Sequence, residues 1–301
     1  MSARVSIVIP AYNERFFPQA LASACAQTFA DVEIVVCDDS PGGAIEAAAT
    51  GANDPRVRYV RNPRTLGFSG NFTECFRQAR GELVKFLNDD DLLEPRCIEG
   101  LVGGFDFDPR VSLVTSRRRP IDEEGRTVQG HFASQPIAHV SCLIPGHELG
   151  NIVLINSVNF IGEPSTAMFR KRDVVLEGEG IFTWGGHDYH CLADLSLWLR
   201  LLARGHAFYQ ALTLSAYRIH AGQQQALEAM DVTCVVERYR LAREARKHGF
   251  LAQLDQYRAA ITMPLKMARN ALQAKSLAPA ARDELEALAA QVAAELHVTA
   301  A

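Results

Sequence analysis

Residues Phe86 to Pro95 read FLNDDDLLEP, an apolar run that meets three consecutive aspartates, Asp89, Asp90 and Asp91, and stops at a proline. Adjacent carboxylates repel one another, so they persist together only where water or a cation neutralises them. At the end of a buried strand they suit Mg²⁺ or Mn²⁺, hard ions that take oxygen ligands and share them with phosphates. The same residues could equally form a solvated acidic turn. Asp194 opens an otherwise apolar helical segment, where a carboxylate serves as general base or simply caps the helix. Arg218 and His220, two residues apart, offer a charge-assisted contact and an imidazole ligand. His187, His190 and Cys191 in HDYHC lack a second pair at zinc spacing, which leaves that stretch as a loop. Trp184 just before it could stack on a ring or anchor the loop. Arg117, Arg118 and Arg119 read as a solvated face.

The elements that must hold these groups follow from hydrophobic period. Val5 to Ile9, Glu33 to Cys37, Val57 to Val60 and Leu83 to Leu87 are short apolar runs of the kind that form buried parallel strands. Between them lie helical segments: Phe17, Leu21, Ala24 and Cys25 share one face, Ala44 to Thr50 forms a second helix, and Phe68, Phe72, Phe76 and Ala79 line a third. The alternation β-α-β-α-β-α-β predicts an α/β fold with a mainly parallel sheet and right-handed crossovers. Ligands bind such a sheet at the carboxyl ends of its strands. Tyr12, Asn13 and Glu14 follow the first strand, Asp38 and Asp39 the second, and Asn88 to Asp91 the fourth, so three polar clusters converge on one edge. Asn13 and Glu14 could also cap the next helix, and Asp38 and Asp39 could end a strand in a turn. Neither GxGxxG nor GxxxxGK[ST] follows any strand, which argues against a dinucleotide-binding dehydrogenase or a P-loop NTPase.

Val111 to Thr115 reads as a further strand, Asp122 to Gly125 as a hairpin turn, and Leu192 to Ala203 as an amphipathic helix ended by Arg204 and Gly205. Asn151 to Phe160 is apolar and ambiguous. Beyond Gln225 the chain reads as helices interrupted at Pro264 and Pro279. Two parts are therefore expected, residues 1–225 and a helical region 226–301, whose basic segment (Arg238, Arg240, Arg243, Arg246, Lys247) packs against the rest or a second subunit rather than contacting anionic lipid.

With 48% hydrophobic and 22% charged residues and a formal net charge of -4, the 301-residue chain is an ordinary globular composition without the basic excess of a nucleic-acid binder. Its seven cysteines are odd in number, scattered and free of CxxC spacing, so no disulfide framework or zinc ribbon is expected and a reducing cytosol fits best. No secretory signal precedes the first strand and no apolar run reaches the length of a membrane span. Any work at the membrane is expected from its inner surface.

Taken in order, the motifs resemble the family 2 glycosyltransferases, inverting enzymes of the GT-A fold, over roughly residues 4 to 225. VSIVIPAYNE looks like the family's opening strand and nucleotide-contacting turn, which implies donor contacts from Pro10, Tyr12, Asn13 and Glu14. QTFADVEIVVCDDS resembles its second strand, implying that Asp38 and Asp39 meet the base and ribose. RNPRTLGFSGNF is similar to the segment before the donor-facing helix and implicates Asn62, Gly67 and Asn71. FLNDDDLLEP looks like the metal-binding DxD segment. IGEPSTAMFRK resembles the strand bordering the acceptor pocket, ADLSLWLRLLARG the helix carrying the base, and YRIHAGQQQ the closing loop on the diphosphate. The sequence departs from the pattern twice. Asn88 stands where an acid is usual, and an amide can bond a ribose but brings no charge to a metal. Ala193 replaces the Glu of a Glu-Asp pair, leaving Asp194 alone for the base.

The resemblance implies transfer of a sugar from a UDP- or dTDP-linked donor to a hydroxyl on a glycan, lipid-linked or protein acceptor, with Mn²⁺ or Mg²⁺. Asp90, Asp91 and His220 are the expected metal ligands, Asn88, Asp89 and Arg218 face the donor, and Trp184 and His187 lie on the acceptor side. The C-terminal helices could pair two copies into a homodimer. Two alternatives stay open: a non-catalytic subunit that binds nucleotide sugars, and a nucleotidyltransferase.

Overall fold

A computed structural model describes residues 3–131, 135–178, 180–222, 232–274 and 277–298. Strands β1 (Val5–Ala11), β2 (Val32–Asp38), β3 (Val57–Arg61) and β4 (Leu83–Phe86) alternate with helices α1 (Phe17–Cys25), α2 (Ala44–Gly51) and α3 (Gly67–Gln78), and they pair in parallel as the sequence pattern predicts. Every residue of β1 is buried, because it lies mid-sheet with helices on both faces. Val5, Ile7 and Ile9 enter one hydrophobic cluster, with α1 and α2, while Val8 enters the other. That split is the period-two alternation of a strand.

The chain continues through β5 (Leu92–Leu93), α4 (Cys97–Phe107), β6 (Val111–Ile121), β7 (Cys142–Ile144), α5 (Gly146–Asn156), β8 (Met168–Arg170), the hairpin β9 (Thr183–Trp184) and β10 (His187–Asp188), α6 (Ala193–Leu202) and β11 (His206–Arg218). The main sheet runs β3-β2-β1-β4-β8-β6-β11-β5, with β7 on β11. Strand β8 lies antiparallel to both β4 and β6, and β6 pairs in parallel with β11. The direction of β4 is therefore restored in β6 and β11, so the carboxyl ends of β1, β4 and β11 open on the same edge. This orientation brings Tyr12, the aspartate run and His220 together.

Helices α7 (Val232–Lys247), α8 (Leu254–Ala271) and α9 (Pro279–Val298) pack onto this unit, and one hydrophobic cluster runs from Val8 and Phe86 in the sheet to Tyr239, Leu265 and Val292 in these helices. The expected boundary at residue 225 lies outside the described residues. The basic residues of α7 are engaged within the chain: Arg238 donates to the Ser157 carbonyl (2.8 Å), Arg243 and Arg246 lie over the rings of Tyr239 and Tyr257, and Lys247 pairs with Glu244 (2.6 Å). Among the described residues no helix is long and apolar enough to cross a membrane.

The structure corrects several expectations. Pro264 does not interrupt its helix; it is buried within α8, where packing offsets the roughly 3 kcal/mol cost of an interior proline. Pro279 instead begins α9. Strand β6 runs on to Ile121, and Arg118 within it is buried, not solvated. Helix α5 takes up Asn151 to Asn156 of the ambiguous stretch. Cys191 and Cys234 form a disulfide with their Cα atoms 5.3 Å apart. At a sequence separation of 43, with no CxxC spacing, only the docking of α7 brings them together.

Candidate active site

A cavity of about 330 Å³ opens at the shared strand edge, within the size range of ligand sites. Pro10, Tyr12, Asn13 and Asn71 contribute to its wall, as do Asn88, Asp89, Asp90 and His220. Asp194 lines it with Glu163, His190 and Cys191.

The aspartate run divides its three carboxylates between structure and cavity. Asp89 Oδ2 accepts the backbone N–H groups of Tyr12 and Asn13, both at 2.6 Å, which ties the run to the end of β1. Burial, with the Asp90 charge beside it, still pushes the Asp89 carboxyl up to about 7. Asp91 is fully buried and does not line the cavity; its Oδ1 accepts the Arg218 N–H (2.9 Å) and its Oδ2 the Asn88 amide (3.2 Å). Burial and the Asp90 charge raise its proton affinity also. Asp90 is left facing the cavity, with Oδ2 at 3.0 Å from His220 Nε2.

Arg218 serves this loop from behind. Its Nε donates to the Asp90 carbonyl (2.7 Å), its Nη1 to the carbonyls of Asp122 and Glu123, and its Nη2 to Gln19, while the guanidinium lies over the Phe16 ring. It is buried and does not line the cavity among the described residues.

Asp90 and His220 present one carboxylate and one imidazole to the cavity. They fit a Mn²⁺ or Mg²⁺ ion that takes its remaining ligands from phosphate and water. Among the described residues no cluster of three or more His, Cys, Asp or Glu side chains forms a closed cage. An ion held here therefore depends on oxygens from a bound substrate.

Asp194, which lines the same cavity, sits in the first turn of α6. Its Oδ1 accepts the Leu195 N–H (2.7 Å) and its Oδ2 the Asn159 amide (2.6 Å). Burial outweighs these bonds and pushes its carboxyl up to about 7, with the Glu163 charge adding to the rise. A carboxylate whose proton affinity lies near neutrality is suited to take a proton from a hydroxyl.

Helix α7 braces the chain that leads into Asp194. Glu237, buried, accepts the N–H groups of His190 (2.8 Å) and Leu192 (2.9 Å), and the Cys191 disulfide ends on Cys234, one turn earlier on the same helix. His187 is held outside the cavity between Arg240, which donates to Nδ1 (2.9 Å), and Glu237, whose Oε1 is 3.4 Å from Nε2. Trp184 is buried against His248, away from the cavity wall, and so anchors its loop.

Several residues expected to face a donor are occupied beneath it. Asp38 accepts bonds from Tyr59 (2.8 Å), Arg61 (2.6 Å) and the Ser40 N–H (2.8 Å); burial alone would raise its carboxyl, but these donors hold it below the usual range. Asp39 accepts the Leu66 and Gly67 N–H groups and the Asn62 amide, so it fastens the start of α3. Gly67 has φ +74°, a conformation glycine adopts without strain. Asn71 donates to the carbonyls of Ala11 and Cys37 and joins β1 and β2 to α3. The Glu14 carboxylate lies against Gly42, where a Cβ would fall 2.1 Å from Oε1.

Phe68 shares a helix face with Phe72 and Phe76, as the spacing predicts, but it is 40% exposed at the cavity, with its ring stacked 5.5 Å from Phe182. It opens α3, beyond the strand ends, so its ring overhangs the cavity. Glu163, Asn159 and Glu237 escaped the sequence reading too. The available signals were a carboxylate inside the apolar run NFIGEPSTAMF and an acid on the same face of α7 as Cys234, Leu241 and Ala245.

The glycosyl transferase family 2 profile matches residues 6–175, more than half of the chain. The chain belongs to this family. It is 26% identical over 224 residues to the Escherichia coli UDP-Glc:alpha-D-GlcNAc-diphosphoundecaprenol beta-1,3-glucosyltransferase WfaP, covering 74% of this chain and 80% of that one. It is 29% identical over 245 residues to an uncharacterised Mycobacterium tuberculosis protein, covering 79% and 74%. The match to Escherichia coli chondroitin synthase, at 33% identity, spans 42% of this chain but only 19% of the synthase. In fold the protein is similar to Staphylococcus aureus TarS, residues 1–349, in complex with UDP-GlcNAc: TM-score 0.58, 14% identity, 96% of this chain and 90% of that one. The GT-A architecture expected from the motifs is the one observed, and the protein is a glycosyltransferase.

Replacing Glu237 with alanine leaves the part-buried His190 N–H and the buried Leu192 N–H without their acceptor, the buried one costing about 1–3 kcal/mol. Hydrogen exchange at His190 and Leu192 is expected to accelerate at least tenfold, with a lower melting temperature. Unchanged exchange there would show that the brace is not Glu237.

Proposed function

We propose that the protein transfers a sugar from a nucleoside diphosphate donor to an acceptor hydroxyl with inversion, using Asp194 as general base. One observation carries this reading: a single cavity is lined both by the Asp90–His220 pair and by Asp194. In the reaction the acceptor oxygen attacks the anomeric carbon as its proton passes to Asp194. The bond to the diphosphate oxygen breaks, and its electron pair leaves with the diphosphate. Asp90 and His220 would hold a Mn²⁺ or Mg²⁺ ion, which when bound would supply positive charge to that leaving group. The backbone of Tyr12 and Asn13 and the Asn88 side chain face the donor, and the exposed Phe68 ring offers an apolar surface to a sugar face.

UDP as the nucleotide is supported by the UDP-Glc in the name of the Escherichia coli relative and the UDP-GlcNAc complex of TarS. The lipid diphosphate acceptor named for that relative favours a glycan acceptor presented at a membrane surface. Asp38, fully buried and bound by Tyr59 and Arg61, bears on the nucleotide only through those residues, and Arg218 acts on the donor by holding the loop of Asp90.

Asp194→Asn is expected to lower kcat by about 10²- to 10⁴-fold while leaving UDP affinity within threefold. In the unmodified protein kcat/KM should climb about tenfold per pH unit up to about 7 and then level, because the base works deprotonated. Unimpaired turnover by the Asn variant would refute the base assignment. Asp90→Ala should abolish the Mn²⁺-dependent part of UDP binding in calorimetry; retention of that part would move the ligand role elsewhere.

A further inference from the structure

We propose that Glu163 recognises the transferred sugar, with its Oε1 accepting a hydrogen bond from one ring hydroxyl of the donor glycosyl group. This rests on the cavity being the transfer site.

Glu163 lines the cavity, yet its side chain is only 9% exposed and forms an ion pair with Arg118, itself 5% exposed, at 2.7 Å from Nε to Oε2. The two atoms are close but off the hydrogen-bonding direction, so the buried Arg118 Nε has no aligned partner among the described residues. Oε2 also meets the Thr166 hydroxyl at 3.4 Å, whereas Oε1 makes no hydrogen bond among the described residues. Oε1 is not among the sealed, partnerless side-chain atoms of the described residues, so it is the carboxylate oxygen left open to the cavity, where a ligand O–H can bond it.

The chemistry of the pair selects the kind of ligand. Carboxylate and guanidinium together are neutral, so they attract neither a divalent cation nor a phosphate. A neutral O–H donor completes Glu163 without disturbing Arg118.

Position then identifies the source. Glu163 lines the same cavity as Asp90, His220 and Asp194, and it follows Gly162, which is hydrogen-bonded to the same Asn159 that donates to Asp194. In a single displacement within this cavity the transferred sugar passes between leaving group and base, within reach of its lining. The residue is also held rigidly in register with the base. Asn159 donates to Asp194 Oδ2 and to the Gly162 carbonyl (3.1 Å), and that carbonyl also receives the Trp198 indole N–H (3.0 Å). Gly162 has φ +108° and a Cβ there would lie 2.8 Å from the Thr166 side chain, so only glycine presents Glu163 this way.

The test is calorimetry on the full chain with UDP, dTDP and their glucose, galactose and N-acetylglucosamine conjugates in the presence of Mn²⁺. The ratio of nucleotide to nucleotide-sugar affinity isolates the glycosyl contribution. In Glu163→Gln that ratio should fall about tenfold to a hundredfold for the sugar bound best, the range for a bond to a charged acceptor, while nucleotide affinity moves less than twofold. Because the variant leaves Arg118 buried and unpaired, Arg118→Met with Glu163→Gln is measured alongside and should behave alike with its melting temperature restored. A monodeoxy donor lacking the recognised hydroxyl should bind both proteins equally. A ratio unchanged in both variants, or no glycosyl contribution in the unmodified protein for any sugar, overturns the proposal. An unmodified protein that binds no nucleotide at all overturns the reading beneath it as well, and that failure is visible separately.

Discussion

Three neighbouring carboxylates can sit half inside this protein because two of them are bound to backbone amides from the strands on either side. Asp89 takes the amides just past β1, and Asp91 takes the amide that closes β11. These contacts neutralise charge with fixed dipoles, and they set the distance between the two strand ends. Of the three, Asp89 and Asp90 line the cavity, and Asp90 pairs there with His220.

The second half of the site is held by different means. Asp194 depends on Asn159 from the loop after α5, and its helix is entered through a segment fastened to α7 by Glu237 and a disulfide. The C-terminal helices are therefore part of the apparatus that positions Asp194. Their basic residues are spent inside the chain, and the hydrophobic cluster passes from sheet to helices without a break.

The local pattern made the parallel half of the sheet legible, because buried strands, crossover helices and turn residues each leave a short-range signature. The aspartate run, Asp194 and His220 were legible for the same reason: charges are conspicuous in apolar surroundings. Other features required tertiary information. Nothing near Arg118 announces that Glu163, 45 positions on, will bury it. Phe68 shares the spacing of Phe72 and Phe76, but its place in the first helical turn leaves it overhanging the cavity. Trp184 and His187 look equally suited to a ligand, and packing against α7 and the residue after it removes both from the wall. Arg218 reads in the sequence as a donor contact because its charge suits phosphate, whereas its guanidinium donates to the Asp90 carbonyl and also to Asp122, Glu123 and Gln19.

The proposed roles of Asp90, His220 and Asp194 imply a single displacement at the anomeric carbon. The direct measurement is the anomeric configuration of the first-formed product, read by proton NMR from the coupling at the anomeric position. With an α-linked nucleotide sugar the account predicts a β-linked product, and an α-linked product would contradict it.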